Sequence, residues 1–472
     1  MRRMLVAAVA ALLVACSSST GATPSPSPAQ SPSPTPASRS LTGSIGAAKY
    51  SIEVPAAWNG TLFLYSHGYV APGRLNPATD SPAPIISSWL LDHGYAIAGS
   101  SYSSTGWALE DAFKDQIAVL DLFNQRISKP QRVIAWGGSL GGIITAGLVQ
   151  LYPDRFAAAI PLCGVLAGGI ANWNAGLDAA YAFKTLLAPT SQLQLVNITD
   201  PQTNVQLALQ IFNAAAATPQ GQARIALVAA LGDLPGWFNP AGAQPAPTDY
   251  AGQQAAQSLW ESQVDFPFEF QLRAELEQRA GGNPSWNAGV DYVHQLAISS
   301  NNAEVTALYG GAGLDLAADL QTLNSGTRIK ADPKATAYLD RNISFDGNLS
   351  VPMLSMHTIG DGLVVPQNET AYSDLVTAAG KQDMLRQVFV HRAGHCAFSA
   401  AETVTVIEAM LARLDAGAWS APLGPADLNT IAQGLGDAFS RVGGFFISPP
   451  AFENFTPGPY PRPFPKGSPV PA

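Results

Sequence analysis

The chain has 472 residues, only 12% of them charged, and carries a net charge of −9. No cluster of Lys and Arg stands out, which excludes nucleic acid as an expected partner, since phosphate contacts need concentrated positive charge. Residues 42–418 hold the globular part, long for one domain but suited to a sheet core that carries a large insertion.

Met1-Arg2-Arg3-Met4 is followed by an apolar run over residues 5–15, too short to span a bilayer as a helix. That is the pattern of a secretory signal peptide. The run ends in Leu13-Val14-Ala15-Cys16, which resembles the lipobox of bacterial lipoproteins. The resemblance implies an acylated Cys16, a membrane tether through that lipid and an extracytoplasmic location; a plain secretory signal is the alternative. Residues 17–41 are rich in Pro and Ser and read as an extended tether.

From there strands and helices alternate. Tyr50-Ser51-Ile52-Glu53-Val54 alternates like a strand, and Thr61-Leu62-Phe63-Leu64-Tyr65-Ser66 reads as a buried parallel strand. A helix is expected at 83–93, a strand at 95–99, a helix at 107–127, a strand at 132–136, a helix at 140–152 and a strand at 156–162. The rhythm then stops. Residues 165–345 are rich in Ala, Leu and Gln with helical spacing, and strand signals return at 351–357 and 387–391. The expected fold is α/β, a mainly parallel sheet with helices on both faces, its core (42–164 and 346–418) interrupted by a helical lid. Residues 419–472 form a C-terminal segment whose proline-rich end carries Phe452, Phe455, Tyr460 and Phe464, expected to dock partly on the body.

Gly137-Gly138-Ser139-Leu140-Gly141 stands between a strand and a helix. This G-x-S-x-G is the pattern of a nucleophile elbow, where the turn is so tight that small neighbours are required. A serine hydroxyl needs a histidine base oriented by a carboxylate. Asp361 lies just after the strand at 351–357, and His395 just after that at 387–391. These two are the expected orienter and base. Asp346 is the runner-up carboxylate but precedes its strand, while His357, His391, His93 and His294 read as structural. The oxyanion hole calls for two backbone N–H groups. Leu140, after the nucleophile, and Tyr69, in the Ser66-His67-Gly68-Tyr69 loop, are the candidates.

The order His67-Gly68, Ser139 elbow, Asp361, His395 resembles the α/β-hydrolase superfamily over residues 45–415 apart from the insertion. The resemblance implies hydrolysis through an acyl-enzyme. Cys396 beside His395 is also similar to tannases and feruloyl esterases, where a disulfide ties the neighbour of the catalytic histidine to the neighbour of the nucleophile. Here Gly138 precedes Ser139, so the implied partner is Cys163, just past the strand at 156–162. With Cys16 committed to lipid, these are the two cysteines left for an oxidising compartment.

The leading expectation is a carboxylic ester hydrolase acting on a small-molecule ester. The alternatives are a serine peptidase of the same superfamily, acting on peptide, and a non-catalytic binding protein. No metal or organic cofactor is implied, since neither a ligand cluster nor a dinucleotide fingerprint is present. An exopeptidase would need an acidic group in the lid, where Glu269, Glu275 and Glu277 read as helix-surface carboxylates. Trp173, Trp237, Trp286 and Tyr292 are candidate pocket residues, with a small lid core as the simpler alternative.

Overall fold

The computed structural model describes residues 37–419 and 423–471. The expected signal peptide, Cys16 and the expected tether up to residue 36 lie outside the described residues. Nine strands form one sheet in the order β1-β2-β4-β3-β5-β6-β7-β8-β11. These are β1 (Arg39–Ile45), β2 (Ala48–Val54), β3 (Thr61–Ser66), β4 (Ala96–Ser100), β5 (Arg132–Gly138), β6 (Ala158–Leu162), β7 (Met353–Gly360), β8 (Leu385–Ala393) and β11 (Phe452–Glu453), while β9 (Arg441–Val442) and β10 (Phe446–Ile447) make a separate hairpin. Strands β3 to β8 are mutually parallel; β1, β2 and β11 complete the two edges in antiparallel pairing.

The continuous apolar runs of the central strands follow from burial on both faces. In β3, Leu62 and Leu64 pack with α2 (Leu109–Arg126) and α3 (Leu140–Leu151). The alternate residues, Phe63 and Tyr65, face the opposite layer, built from α1 (Pro84–Asp92) and the helix Ala400–Ala416. A side-chain period of two thus serves two cores at once.

Strand β1 begins at Arg39, inside the stretch assigned by composition to the tether. Its residues are mostly exposed and polar, so only the hairpin pairing with β2, from Arg39↔Val54 to Ile45↔Ala48, makes a strand of them. The C-terminal segment likewise contributes to the sheet, through Phe452↔Val390 and Glu453↔Phe389.

Between β6 and β7 the chain leaves the sheet and forms a helical lid, from Gly169–Leu187 to Pro333–Arg341, with its own core around Phe183, Phe212, Phe266 and Phe270. Several of its helices start at side-chain caps. Asp200, Thr218 and Asp332 each accept a backbone N–H of the first turn, and each is followed by proline at the first helical position, where a missing N–H costs nothing. Among the described residues no helix is long and apolar enough to cross a membrane.

Candidate active site

At the carboxyl end of β5 the chain turns directly into α3. Ser139 sits in the turn at φ 60°, ψ −126°, a left-handed conformation costly for a residue with a Cβ. Ser139 N donates to Leu162 O at 2.9 Å, and Gly142 N to Ser139 O at 2.8 Å. The flanking glycines are required by space. A Cβ at Gly137 would stand 2.2 Å from Ser66 O, and one at Gly141 only 1.9 Å from the same atom. Strand β3 is in turn held in place by Gln116, whose Nε2 donates to Tyr65 O and Ser66 Oγ at 2.6 and 2.8 Å.

Asp361 follows β7 immediately, and His395 lies two residues beyond β8. The two loops are tied together by Thr358 Oγ1 donating to Gly394 O (2.7 Å) and Gly394 N to Gly360 O (3.0 Å). His395 Nδ1 meets Asp361 Oδ2 at 2.8 Å. The other carboxylate oxygen, Oδ1, accepts the N–H groups of Leu363 and Val364 at 3.1 and 3.0 Å. Asp346 lies elsewhere, 3.9 Å from Lys466 Nζ. His391 pairs with Glu453, and His93 stacks on Trp89.

His357 is buried, as its strand position implies, but it is more than packing. Its Nδ1 lies 3.0 Å from Glu369 Oε1, and its Nε2 lies 2.7 Å from Val364 O and 3.6 Å from Asp361 Oδ2. Both ring nitrogens face acceptors, so both carry a proton. Burial pulls its pKa down, but the Asp361 and Glu369 carboxylates outweigh that and push it up to about 10. Desolvation would raise the Asp361 pKa, but His395 and His357 hold it well below the usual carboxylate range. Ser355 Oγ and Gln387 Nε2 complete the network by donating to Glu369 Oε2 at 2.5 and 2.6 Å. The sequence signal was available in the four-residue spacing of His357 and Asp361 across the strand end.

Cys163 and Cys396 form a disulfide with Cα atoms 5.4 Å apart. A Cβ at Gly138 would stand 3.7 and 3.6 Å from their sulfurs, so the bridge passes beside the residue preceding Ser139 although that residue is glycine. Cys396 Sγ is also 3.5 Å from His395 Nε2. Cys163, His395 and Cys396 are the only cluster of metal-ligand type among the described residues, and its two sulfurs are bonded to each other.

The His67-Gly68-Tyr69 loop packs against the elbow, placing a hypothetical Gly68 Cβ 3.8 Å from Ser139 Oγ. His67 fixes the loop from within: its Nδ1 and Nε2 lie 2.7 Å from Gly68 O and 3.1 Å from Ser101 O, and its ring stacks on Tyr102. Leu140 N–H belongs to the first turn of α3, where no intrahelical acceptor exists. Tyr69 N–H has no hydrogen-bond partner among the described residues.

Two cavities meet at Ser139. The inner one, under the lid, is walled by Trp107, Val165, Trp173, Asp265, Glu269 and Tyr460. The outer one runs past His395, Cys396, Phe398 and Ile85 to Arg441. Tyr69, Ser139, Phe268 and Leu363 belong to both. Ser139 and His395 both line the outer cavity, without a hydrogen bond between them among the described residues.

Of the lid aromatics named from sequence, Trp173 lines the inner cavity. Trp237 packs on Ile359 and Phe389, Trp286 against Phe464, and Tyr292 on Tyr181. Glu269 is not the surface carboxylate its helical position implied. The helical run from Tyr250 to Ala280 contains π-helical turns at Glu261–Asp265 and Phe268–Leu272. Their i→i+5 bonding widens each turn, so residues four apart stay nearly in line. Glu261, Asp265, Glu269, Arg273 and Glu277 are spaced in that way and turn inward together. Glu269 pairs with the fully buried Arg273 at 2.8 Å, while Asp265 Oδ2 is shielded and unpartnered. Burial raises the pKa of both carboxyls. Glu275 and Glu277 also serve structure, accepting from Trp107 N (2.9 Å) and Ile198 N (3.1 Å).

The sheet order, the elbow and the strand-end loops define a serine hydrolase of the α/β-hydrolase class. Residues 95–174, which include the elbow, match the prolyl oligopeptidase family. An o-phthalyl amidase from Xanthobacter agilis is 30% identical over 419 residues, 82% of this chain and 89% of the amidase. The chain therefore belongs to the α/β-hydrolase superfamily, in the family that includes this amidase. Among solved structures, an esterase from Aspergillus oryzae aligns with a TM-score of 0.40 at 12% identity, over 80% of each chain. The acylaminoacyl peptidase of Pyrococcus horikoshii aligns with a TM-score of 0.36 at 11% identity, over 84% of this chain and 44% of its own.

Proposed function

We propose that the enzyme hydrolyses carboxylic esters and amides of compact acyl groups through an acyl-enzyme on Ser139. The observation that carries the reading is the left-handed Ser139 on the same cavity as a His395 whose Nδ1 is held by the buried Asp361 carboxylate. In the first half-reaction Ser139 Oγ attacks the carbonyl carbon while His395 Nε2 takes its proton. The Tyr69 and Leu140 N–H groups receive the developing oxyanion. Collapse of the tetrahedral adduct breaks the bond to the alcohol or amine, which leaves with the proton from His395. Water, deprotonated by His395, then attacks the acyl-serine and frees the acid and Ser139.

The inner cavity suits the acyl group, since it is lined by Trp107, Trp173, Phe268 and Tyr460 and lies under the lid. The outer cavity is open enough to pass the leaving group. Ester cleavage is the less demanding reaction for this site, while the amidase relative supports amide cleavage as a second reading. The test measures matched p-nitrophenyl esters and p-nitroanilides with the parent and Ser139→Ala. Esters should turn over faster than anilides, and the variant should lose at least about 10⁴-fold in kcat at unchanged Tm, given what removal of a serine nucleophile costs elsewhere. Equal turnover by the variant would remove Ser139 from the reaction.

An extracytoplasmic location anchored at Cys16 belongs to the same proposal. The Cys163–Cys396 disulfide supports an oxidising compartment. Metabolic labelling with a fatty acid should mark the parent and fail with Cys16→Ser.

A further inference from the structure

Past β11 the chain runs without regular structure across both the sheet domain and the lid. Pro457, Pro459, Pro461, Pro463 and Pro465 alternate with Gly458, Tyr460, Arg462 and Phe464. Proline fixes φ and removes the backbone donor at every second position. The segment is thus stiff and extended, and it holds on chiefly through the side chains between the prolines.

Each of those side chains has a destination. Arg462 Nη1 lies 3.2 and 3.1 Å from the two oxygens of the buried Asp178 on the lid helix Gly169–Leu187, and donates to Trp286 O at 2.6 Å. Phe464 meets Trp286 edge-on at 5.5 Å. On the sheet side, Thr370 Oγ1 donates to Pro457 O (3.1 Å) and Lys466 N to Phe345 O (2.9 Å). Between these anchors Tyr460 points inward, only 4% exposed, and forms part of the inner cavity beside Trp173 and Glu269.

We propose that this C-terminal strap is the end wall of the acyl cavity, and that Tyr460 sets the length of acyl group the enzyme accepts. The Arg462 and Phe464 side chains hold the strap to the lid, and the Pro457 carbonyl and the Lys466 N–H hold its two ends, so a few discrete anchors keep the wall in place. The accepted class is compact acyl groups, short aliphatic or single-ring aromatic. Loosening or trimming the strap extends that class to longer chains. The inference rests on Ser139 as nucleophile and on the inner cavity as the acyl site.

The experiment measures kcat/KM for p-nitrophenyl acetate, butyrate and octanoate in the full chain. The variants are Tyr460→Ala, Tyr460→Trp and the pair Asp178→Asn/Arg462→Met, which removes the anchor without stranding a buried charge. Tyr460→Ala and the anchor pair should raise the octanoate-to-acetate ratio about tenfold, and Tyr460→Trp should lower it, in line with what a few methylenes are worth in an apolar pocket. An unchanged ratio in the Tyr460 variants, folded by their Tm, overturns the inference. The two opposite substitutions and the separate anchor pair keep the test decisive if one variant fails to fold. Octanoate turnover that survives Ser139→Ala would instead overturn the underlying reading of the site.

Discussion

The sheet edge and the lid bury ionisable groups in opposite ways. At the sheet edge every one is matched: Asp361 meets His395, two backbone N–H groups and His357, and Glu369 meets His357, Ser355 and Gln387. The lid buries acids that outnumber their partners. Glu261 is 2% exposed with both carboxyl oxygens unbonded, and Asp233 and Glu304 have only neutral partners, Ser299 with the Ser300 backbone for the first and Gln257 for the second. A matched charge stays charged and positions its neighbour. An unmatched one retreats to its neutral form, so its energy depends on pH and on what enters the cavity. Reaction geometry therefore belongs to the half of the molecule that is electrostatically closed, and adaptable recognition to the half that is open.

The contrast breaks most sharply at His357. His357→Gln leaves Asp361 and Glu369 facing each other across a buried site without their cation. The expected loss is about 3–5 kcal/mol in urea unfolding, the usual cost of stranding a buried charge. Adding Glu369→Gln should recover part of it, which a double-mutant cycle would show. The pH dependence has a definite sign. The pKa of His357 is raised in the folded state, so its contribution is complete below about 6.5 and is lost as pH rises toward about 10. The parent should lose stability over that alkaline range and His357→Gln should not. If the variant matches the parent at pH 7, the imidazolium has no role in holding Asp361.

Next in size is the disulfide. Cys163→Ala with Cys396→Ala should cost about 2–5 kcal/mol, the usual range for a native bridge closing a long loop. Activity should fall by more than that loss of fold explains, because the bridge sits between the elbow and the His395 loop. A variant with lower Tm but the parent's kcat would reduce the bridge to a plain staple.

The same division decides what the sequence reveals. The elbow is legible because its geometry forces glycine at 137 and 141, and local sterics leave a local signature. Asp361 and His395 are legible because topology places strand-end loops together, so their partnership needs no long-range knowledge. The inner cavity is different. Its walls come from α3, two lid helices, the loop after β3 and a strap near residue 460, and no spacing rule links them. Glu269 was misplaced because α-helical phase sends it to the surface, whereas two π-helical turns keep it in line with Asp265 and Arg273. β1 and β11 escaped for a simpler reason: one is too polar and the other, two residues long, too short to show a strand pattern.

The smallest expected effect is the most selective. Burial raises the pKa of Asp178 to about 6, against the opposing pull of Arg462, and those of Asp233 and Glu304 to about 7. Folded-state values above the unfolded ones mean that the folded protein holds the extra protons. Their stabilising contribution is complete below about pH 4 and is lost as pH rises through 6 to 7. Between about pH 4.5 and 6, His357 is largely protonated folded or unfolded and Asp361 is ionised in both states. Buried His67, whose pKa is lowered, acts in the opposite sense, so the lid's share is read as the difference between the parent and a lid variant. Relative to Asp233→Asn, the parent should lose about 1–2 kcal/mol of stability across this range. Asparagine is the informative replacement, because it mimics the neutral acid, can keep the 2.8 Å contact with Ser299, and tolerates the left-handed backbone at φ 56°. The gain should appear near neutral pH and vanish near pH 4.5. A fall of the same slope in Asp233→Asn would mean that this carboxyl is ionised in the folded lid, and that its neutral partners are enough to keep a charge buried there.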